Sequence, residues 1–143
     1  MYSKEESSKL REEFWTSFGK SFPRKWILYR TGVKEILFKF YFDTKKAMVC
    51  IDIEGSLDSR EKYFTKMESL RGIFSDFLPN NEYEKEFVLE NGKEISRIWI
   101  EKKDVCIHNK ATWQETMEFF VSNMSQIELF WQEYEDLFKE DVF

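Results

Sequence analysis

Glycine and proline are scarce, with 5 Gly and 2 Pro in 143 residues. That leaves no room for glycine-rich phosphate cradles or long flexible linkers, and it assigns most of the chain to helices and strands. Histidine occurs once, at His108, and cysteine twice, at Cys50 and Cys106, so a metal centre has few ligands of that kind to draw on. No apolar run approaches the ~20 residues that a membrane-spanning helix needs. The first residues, Met1-Tyr2-Ser3-Lys4-Glu5-Glu6, lack the basic-then-apolar pattern of a secretion signal. Both absences point away from the membrane and towards the cytoplasm. A basic excess is missing as well: 22 Lys and Arg face 27 Asp and Glu, a net charge of -5. Direct nucleic-acid binding is therefore disfavoured unless basic residues are gathered on one face.

Aromatic residues, by contrast, are plentiful. Fifteen Phe, six Tyr and five Trp predict a dense, ring-filled core with rings to spare for an interface. The length suits one domain over residues 1–143. Cys50 and Cys106 each sit in an apolar, strand-like run, which predicts buried free thiols and no disulfide.

Ser3 with Glu6 is a capping-box pattern, and Leu10, Phe14 and Phe18 then recur every four residues, which predicts a helix over 4–18 stopped at Gly19. Short apolar or alternating runs predict strands at 26–29, 34–42 and 47–53, joined as an antiparallel meander. A helix capped by Asp58 with Glu61 follows, with Tyr63, Met67, Leu70, Phe74 and Phe77 on one face and Pro79 after it. The plan then repeats, with strands at 83–89, 94–101 and 105–108 and a two-residue hairpin signal at Asn91-Gly92. Thr112 with Glu115 predicts the cap of a last helix, whose stripe runs Trp113, Met117, Phe120, Met124, Ile127, Trp131, Tyr134, Phe138.

The expected fold is α+β, in two layers: a mainly antiparallel sheet of about six strands with helices on one face, in the order α-βββ-α-βββ-α. Residues 1–22 form the first helix, 23–79 one βββα unit and 80–143 the other, an arrangement that suggests an internal duplication with Cys50 and Cys106 as equivalents.

Two constellations offer chemistry. Asp52 and Glu54 share a strand face, and Glu101-Lys102-Lys103 reads as carboxylate-x-lysine, so Asp52, Glu54, Glu101 and Lys103 are the candidates for a divalent-metal nuclease site. Cys50 with Asp52, and Cys106 with His108, are the candidate ligands of a metal such as zinc if equivalent strands are neighbours. Solvated strand ends and buried thiols explain the same residues more simply. Phe119, Val121, Phe130 and Leu137 widen the apolar arc of the last helix beyond one sheet contact, and would suit a protein partner or a homodimer seam.

In residues 26–29 (Trp-Ile-Leu-Tyr), Lys45-Lys46-Ala47-Met48-Val49-Cys50-Ile51-Asp52, the stretch 89–99 around Asn91-Gly92 and the closing 113–138 helix, the chain resembles a family of bacterial domains of unknown function, DUF4268. Members occur alone or behind a front half that looks like a restriction-type nuclease module. The resemblance implies a stand-alone accessory domain and carries over no catalytic residue and no cofactor. The leading expectation is therefore a non-enzymatic interaction or accessory module working beside nucleic-acid processing or defence proteins. A divalent-metal nuclease is the alternative, and a small-ligand-binding domain is the second alternative.

Overall fold

Ser3 opens the first helix as the sequence predicts: its hydroxyl accepts from the Glu6 amide while the Glu6 carboxylate accepts from the Ser3 amide, each at 3.1 Å. In the computed structural model, which describes residues 2–139, this helix, α1, spans Lys4–Ser21. It passes straight through Gly19, where no neighbour comes within 4 Å of an added Cβ. Strands β1 (Ile36–Phe42) and β2 (Lys46–Ile53) follow, then helices α2 (Leu57–Ser69) and α3 (Arg71–Phe77). Strands β3 (Glu82–Val88) and β4 (Glu94–Lys103) lead through a 3-10 turn at Lys110–Thr112 to α4 (Trp113–Lys139). Residues 140–143, the last four of the expected domain, lie outside the described residues.

Among the described residues the sheet has four strands, not six, in the order β1-β2-β4-β3 with every pair antiparallel. The expected strand at 26–29 is an irregular connector. Leu28 takes a positive φ of 49°, the Arg30 amide closes a turn on the Ile27 carbonyl, and a single bond from the Phe38 amide to the Leu28 carbonyl replaces a ladder. The expected strand at 105–108 fails for a related reason. Asp104, at φ 63°, ends β4, and Val105 and Ile107 then drop into the core from a loop tied to the β1–β2 turn by a single backbone bond, Ile107 amide to Asp43 carbonyl, at 2.9 Å. Apolar side chains at alternate positions bury alike with or without a paired backbone. Each expected unit thus keeps two strands, but the first loses its opening strand and the second its closing one, and two helices follow in the first unit against one in the second, so the duplication is not supported: Cys50 lies inside β2, whereas Cys106 lies in a loop.

The caps also moved. Ser56, not Asp58, caps α2, its hydroxyl accepting from the Ser59 amide, after Gly55 at φ 102° has turned the chain. The expected single helix breaks at Leu70 into α2 and α3. The Thr112 hydroxyl oxygen accepts from the Cys106 amide at 3.2 Å while its hydrogen is shared between the Cys106 and Asn109 carbonyls, at 3.0 and 2.8 Å, so it is turned to the preceding loop and forms no capping box with Glu115. Asn109 caps the 3-10 turn instead, accepting from the Ala111 amide.

One sheet face carries Ile36, Phe38, Phe42, Val49, Ile51, Ile53 and Ile98, all buried in the same cluster as Phe14, Phe64, Phe74 and the α4 stripe. Phe120 sits where these layers meet, with Phe40 at 5.0 Å, Phe18 at 5.6 Å and Trp15 stacked at 5.7 Å. Of the extra apolar positions on α4, Phe130 is fully buried against Phe74 (4.8 Å) and Phe77 (5.7 Å), so α3 covers much of the wide arc, while Leu137 stays 39% exposed.

Candidate functional site

The helix-free face of the sheet concentrates the polar chemistry. Strand alternation puts Leu37, Lys39 and Tyr41 of β1 beside Asp52, Cys50 and Met48 of β2, and these beside Arg97, Trp99 and Glu101 of β4. Side chains on an uncovered face are ordinarily wet. Here Met48, Cys50, Asp52, Ile95 and Arg97 are all buried.

Part of the cover comes from the β3–β4 hairpin. Its register shifts between Glu84 and Phe87, and a bulge of this kind bends a strand. The turn itself closes over three residues, not two: the Leu89 amide bonds the Lys93 carbonyl, the Gly92 amide bonds the Leu89 carbonyl, and Gly92 takes φ 85°. That is the three-residue loop with glycine in the left-handed position. The hairpin tip, from Phe87 to Asn91, forms one wall of a cleft of about 530 Å³; Lys39, Tyr41, Lys46, Met48 and Arg97 supply the sheet wall.

An ion-pair network runs along this face, and its Lys39 and Arg97 reach the cleft. Arg97 grips Asp52 with two bonds, Nε to Oδ1 at 2.7 Å and Nη2 to Oδ2 at 2.8 Å, and its guanidinium lies 4.4 Å from the centre of the Phe87 ring. Lys39 reaches Asp52 and Glu54, each at 3.2 Å, and Lys93 reaches Glu54 at 2.8 Å. Burial works against the Lys39 ammonium, but Asp52 and Glu54 outweigh it and hold its pKa above the ordinary value. Burial likewise opposes the Glu54 carboxylate, and Lys93 with Lys39 overcomes it and holds its pKa down. Tyr41 is pushed up to about 12 by burial and by its bond to Asp43, so at neutral pH it is a hydroxyl that donates to Asp43 at 2.8 Å. Burial pushes the Cys50 thiol up to about 12, which removes it as a nucleophile.

The four residues singled out for a nuclease site share this face but spread along it. Asp52 lies opposite Arg97, so Glu101 is four residues further along the strand, ~13 Å away at about 3.3 Å per residue, and Lys103 about 20 Å away. Glu54 lies just past the end of β2, Glu101 pairs with Lys46 at 3.5 Å, and every one of the three carboxylates has a cation on it. The cysteine and histidine candidates separate as well. Cys50 and Asp52 are in the sheet, whereas Cys106 and His108 line a different cleft with Tyr2 and Leu10. Among the described residues no three His, Cys, Asp or Glu side chains converge as a metal would require.

The residues that make this site and that the sequence reading passed over are Lys39, Phe87, Lys93 and Arg97. A signal for one of them, Arg97, was present in its likeness to Asp52. Asp52 interrupts Val49-Cys50-Ile51-Asp52-Ile53, and Arg97 interrupts Ile95-Ser96-Arg97-Ile98-Trp99. Opposite charges set in the middle of two apolar strands are the mark of a buried pair, because a lone charge would not be tolerated there.

The family described as Domain of unknown function (DUF4268) matches this chain over residues 10–135. Neither a curated protein nor a solved structure matches it. No helix among the described residues is long and apolar enough to cross a membrane.

Proposed function

We propose, from the premise that the chain belongs to the DUF4268 family, that it is a non-enzymatic binding module whose site is the cleft between the β3–β4 hairpin and the helix-free sheet face. The observation that carries the reading is the state of the carboxylates. Asp52, Glu54 and Glu101 each face a lysine or arginine, so the carboxylates of the sheet face are neutralised, not poised for metal or proton transfer, and the carboxylate that lines the cleft itself is Glu90 of the hairpin tip. The walls are those of a binding site: Met48, Phe87, Val88 and Leu89 give apolar area, and Lys39, Lys46, Tyr41 and Asn91 give polar groups that fix orientation. A nuclease would have to exchange Arg97 and Lys39 for a metal at Asp52 and draw in Glu101 from about four residue rises away. Two cysteines without a disulfide suit a reducing compartment, which supports the cytoplasm.

The test is a fragment screen on isotope-labelled full chain, read by amide and methyl NMR shifts. Hits should cluster at Met48, Val88, Leu89 and Asn91, and should disappear in Leu89→Asp. Hits scattered over the molecule, or unaffected by Leu89→Asp, would contradict the assignment.

A further inference from the structure

The two edges of the sheet are built differently. β3, at one edge, carries Glu82, Glu84, Lys85 and Glu86 and a register shift, which are the usual means of discouraging a further strand. β1, at the other, reads Ile-Leu-Phe-Lys-Phe-Tyr-Phe, with one charge and an unbroken register. Its outer side is only partly covered. The Ile36 amide bonds the Val33 carbonyl, the Phe38 amide bonds the Leu28 carbonyl, and Arg11 Nη1 bonds the Phe42 carbonyl. Alternation sends the Phe40 amide outward as well, and among the described residues no acceptor outside the sheet meets it.

A cleft of about 350 Å³ opens at that gap. Trp15, Leu28, Tyr29, Leu37 and Phe40 line it, and Lys39 is its sole charged neighbour. Tyr29 stands 66% exposed at the rim.

The connector that forms this rim is basic in an acidic protein. From Lys20, in the last turn of α1, to Lys34 there are five cations, Lys20, Arg24, Lys25, Arg30 and Lys34, and one carboxylate, Glu35, follows before β1 begins. All five are exposed. Arg24 is held by Glu128 at 2.5 Å; the other four have no carboxylate partner among the described residues.

We infer that the β1 edge is a strand-addition site for an extended, acidic segment of a partner protein. One peptide unit of the segment pairs with Phe40, an apolar side chain fills the cleft beside Tyr29, and flanking carboxylates meet Lys25, Arg30 and Lys34. The charge decides between occupants. A second copy docking β1 to β1 brings two basic connectors together, which like-charge repulsion opposes. A nucleic-acid strand would use the cations and the Tyr29 ring but would leave the apolar cleft and the outward amide unpaired. This site lies on the opposite edge from the hairpin, and it stands or falls independently of the hairpin cleft.

The experiment uses the full chain and a fluorescein-labelled peptide of about eight residues alternating glutamate with valine, followed by anisotropy and by amide exchange. Binding should protect the Phe40 amide, weaken by about tenfold in Arg30→Glu with Lys34→Glu, and weaken similarly in Tyr29→Asp. Circular dichroism should show those surface variants folded. No binding at millimolar peptide, binding that ignores these substitutions, or shifts confined to Met48 and Leu89 would overturn the inference. So would tighter binding of a labelled oligothymidylate, or a chain that sediments as a dimer with the Phe40 amide already protected.

Discussion

Arg97 and Asp52 form a two-bond pair across neighbouring strands, at 2.7 and 2.8 Å, with both side chains almost wholly out of water. Such a pair is held in place less by its own net worth than by the cost of separating it. Removing Arg97 leaves the buried Asp52 carboxylate with the partly exposed Lys39 alone, at 3.2 Å, a loss towards the lower end of the ~3–5 kcal/mol that breaking a buried pair costs. Arg97→Met is therefore expected to lower stability by about that much in urea unfolding. Arg97→Met combined with Asp52→Leu should recover most of the loss, and a double variant no better than the single would show that the pair does more than cancel charge.

Phe120 is fully buried and touches rings from α1 and β1. Truncation to alanine leaves a cavity that three elements would have to collapse into, so Phe120→Ala should cost ~3–5 kcal/mol. Leu129→Ala, one solvent-facing position on the same helix at 51% exposure, should stay within about 0.5 kcal/mol. Equal losses for the two would contradict the packing.

The two thiols are separated by their surroundings. Cys50 is buried, with its pKa up to about 12, and should resist a disulfide reagent until the protein unfolds. Cys106 is half-buried at the edge of a cleft with His108 and should label in the native state. A stoichiometry of one thiol before denaturation and two after it is the expected result.

Acid should loosen the hairpin. The Glu54 carboxylate has its pKa held down in the folded protein, where burial opposes ionisation but Lys93 and Lys39 prevail, and Asp43 is lowered despite burial by the Lys45 amide and Tyr41. A pKa lowered on folding gives stability that is present above the unfolded value, about 4.5 for Glu54, and that is lost as pH falls through the folded value. Lys39 has the opposite sign: its raised pKa gives stability present below about 10.5 and lost as pH rises through the folded value. Urea midpoints should thus form a plateau between roughly pH 5 and 10, falling on both sides. Glu54→Gln should flatten part of the acid limb; an acid limb unchanged in that variant would remove Glu54 from the account.

Much of the helical architecture was legible in the residues themselves. The α4 stripe is buried at Trp113, Met117, Phe120, Met124, Ile127, Trp131 and Phe138, because a four-three spacing over many turns has one geometric solution. The Ser3–Glu6 box was legible because its partners are three residues apart. Strand number was not. Trp26, Leu28, Val105 and Ile107 are apolar for the sake of the core, and nothing local says whether a neighbouring backbone will pair with theirs. The site was half legible: Asp52 stood out as a charge in an apolar strand, but its partner Arg97 lies 45 residues away, and only the β2–β4 register brings them together.

The acidic residues of the helix-free face, held by lysine and arginine, are proposed to be ion-pair partners and not metal ligands. Manganese titrated into isotope-labelled protein, with paramagnetic loss of amide signal as the readout, separates the two roles. As ion-pair partners, Asp52, Glu54 and Glu101 should show no selective broadening up to about millimolar metal, and the protein should cleave neither DNA nor RNA under the same conditions. Broadening centred on Asp52, with cleavage abolished by Asp52→Ala and by Lys103→Ala in folded protein, would contradict the ion-pair role and make the domain a metal-dependent nuclease.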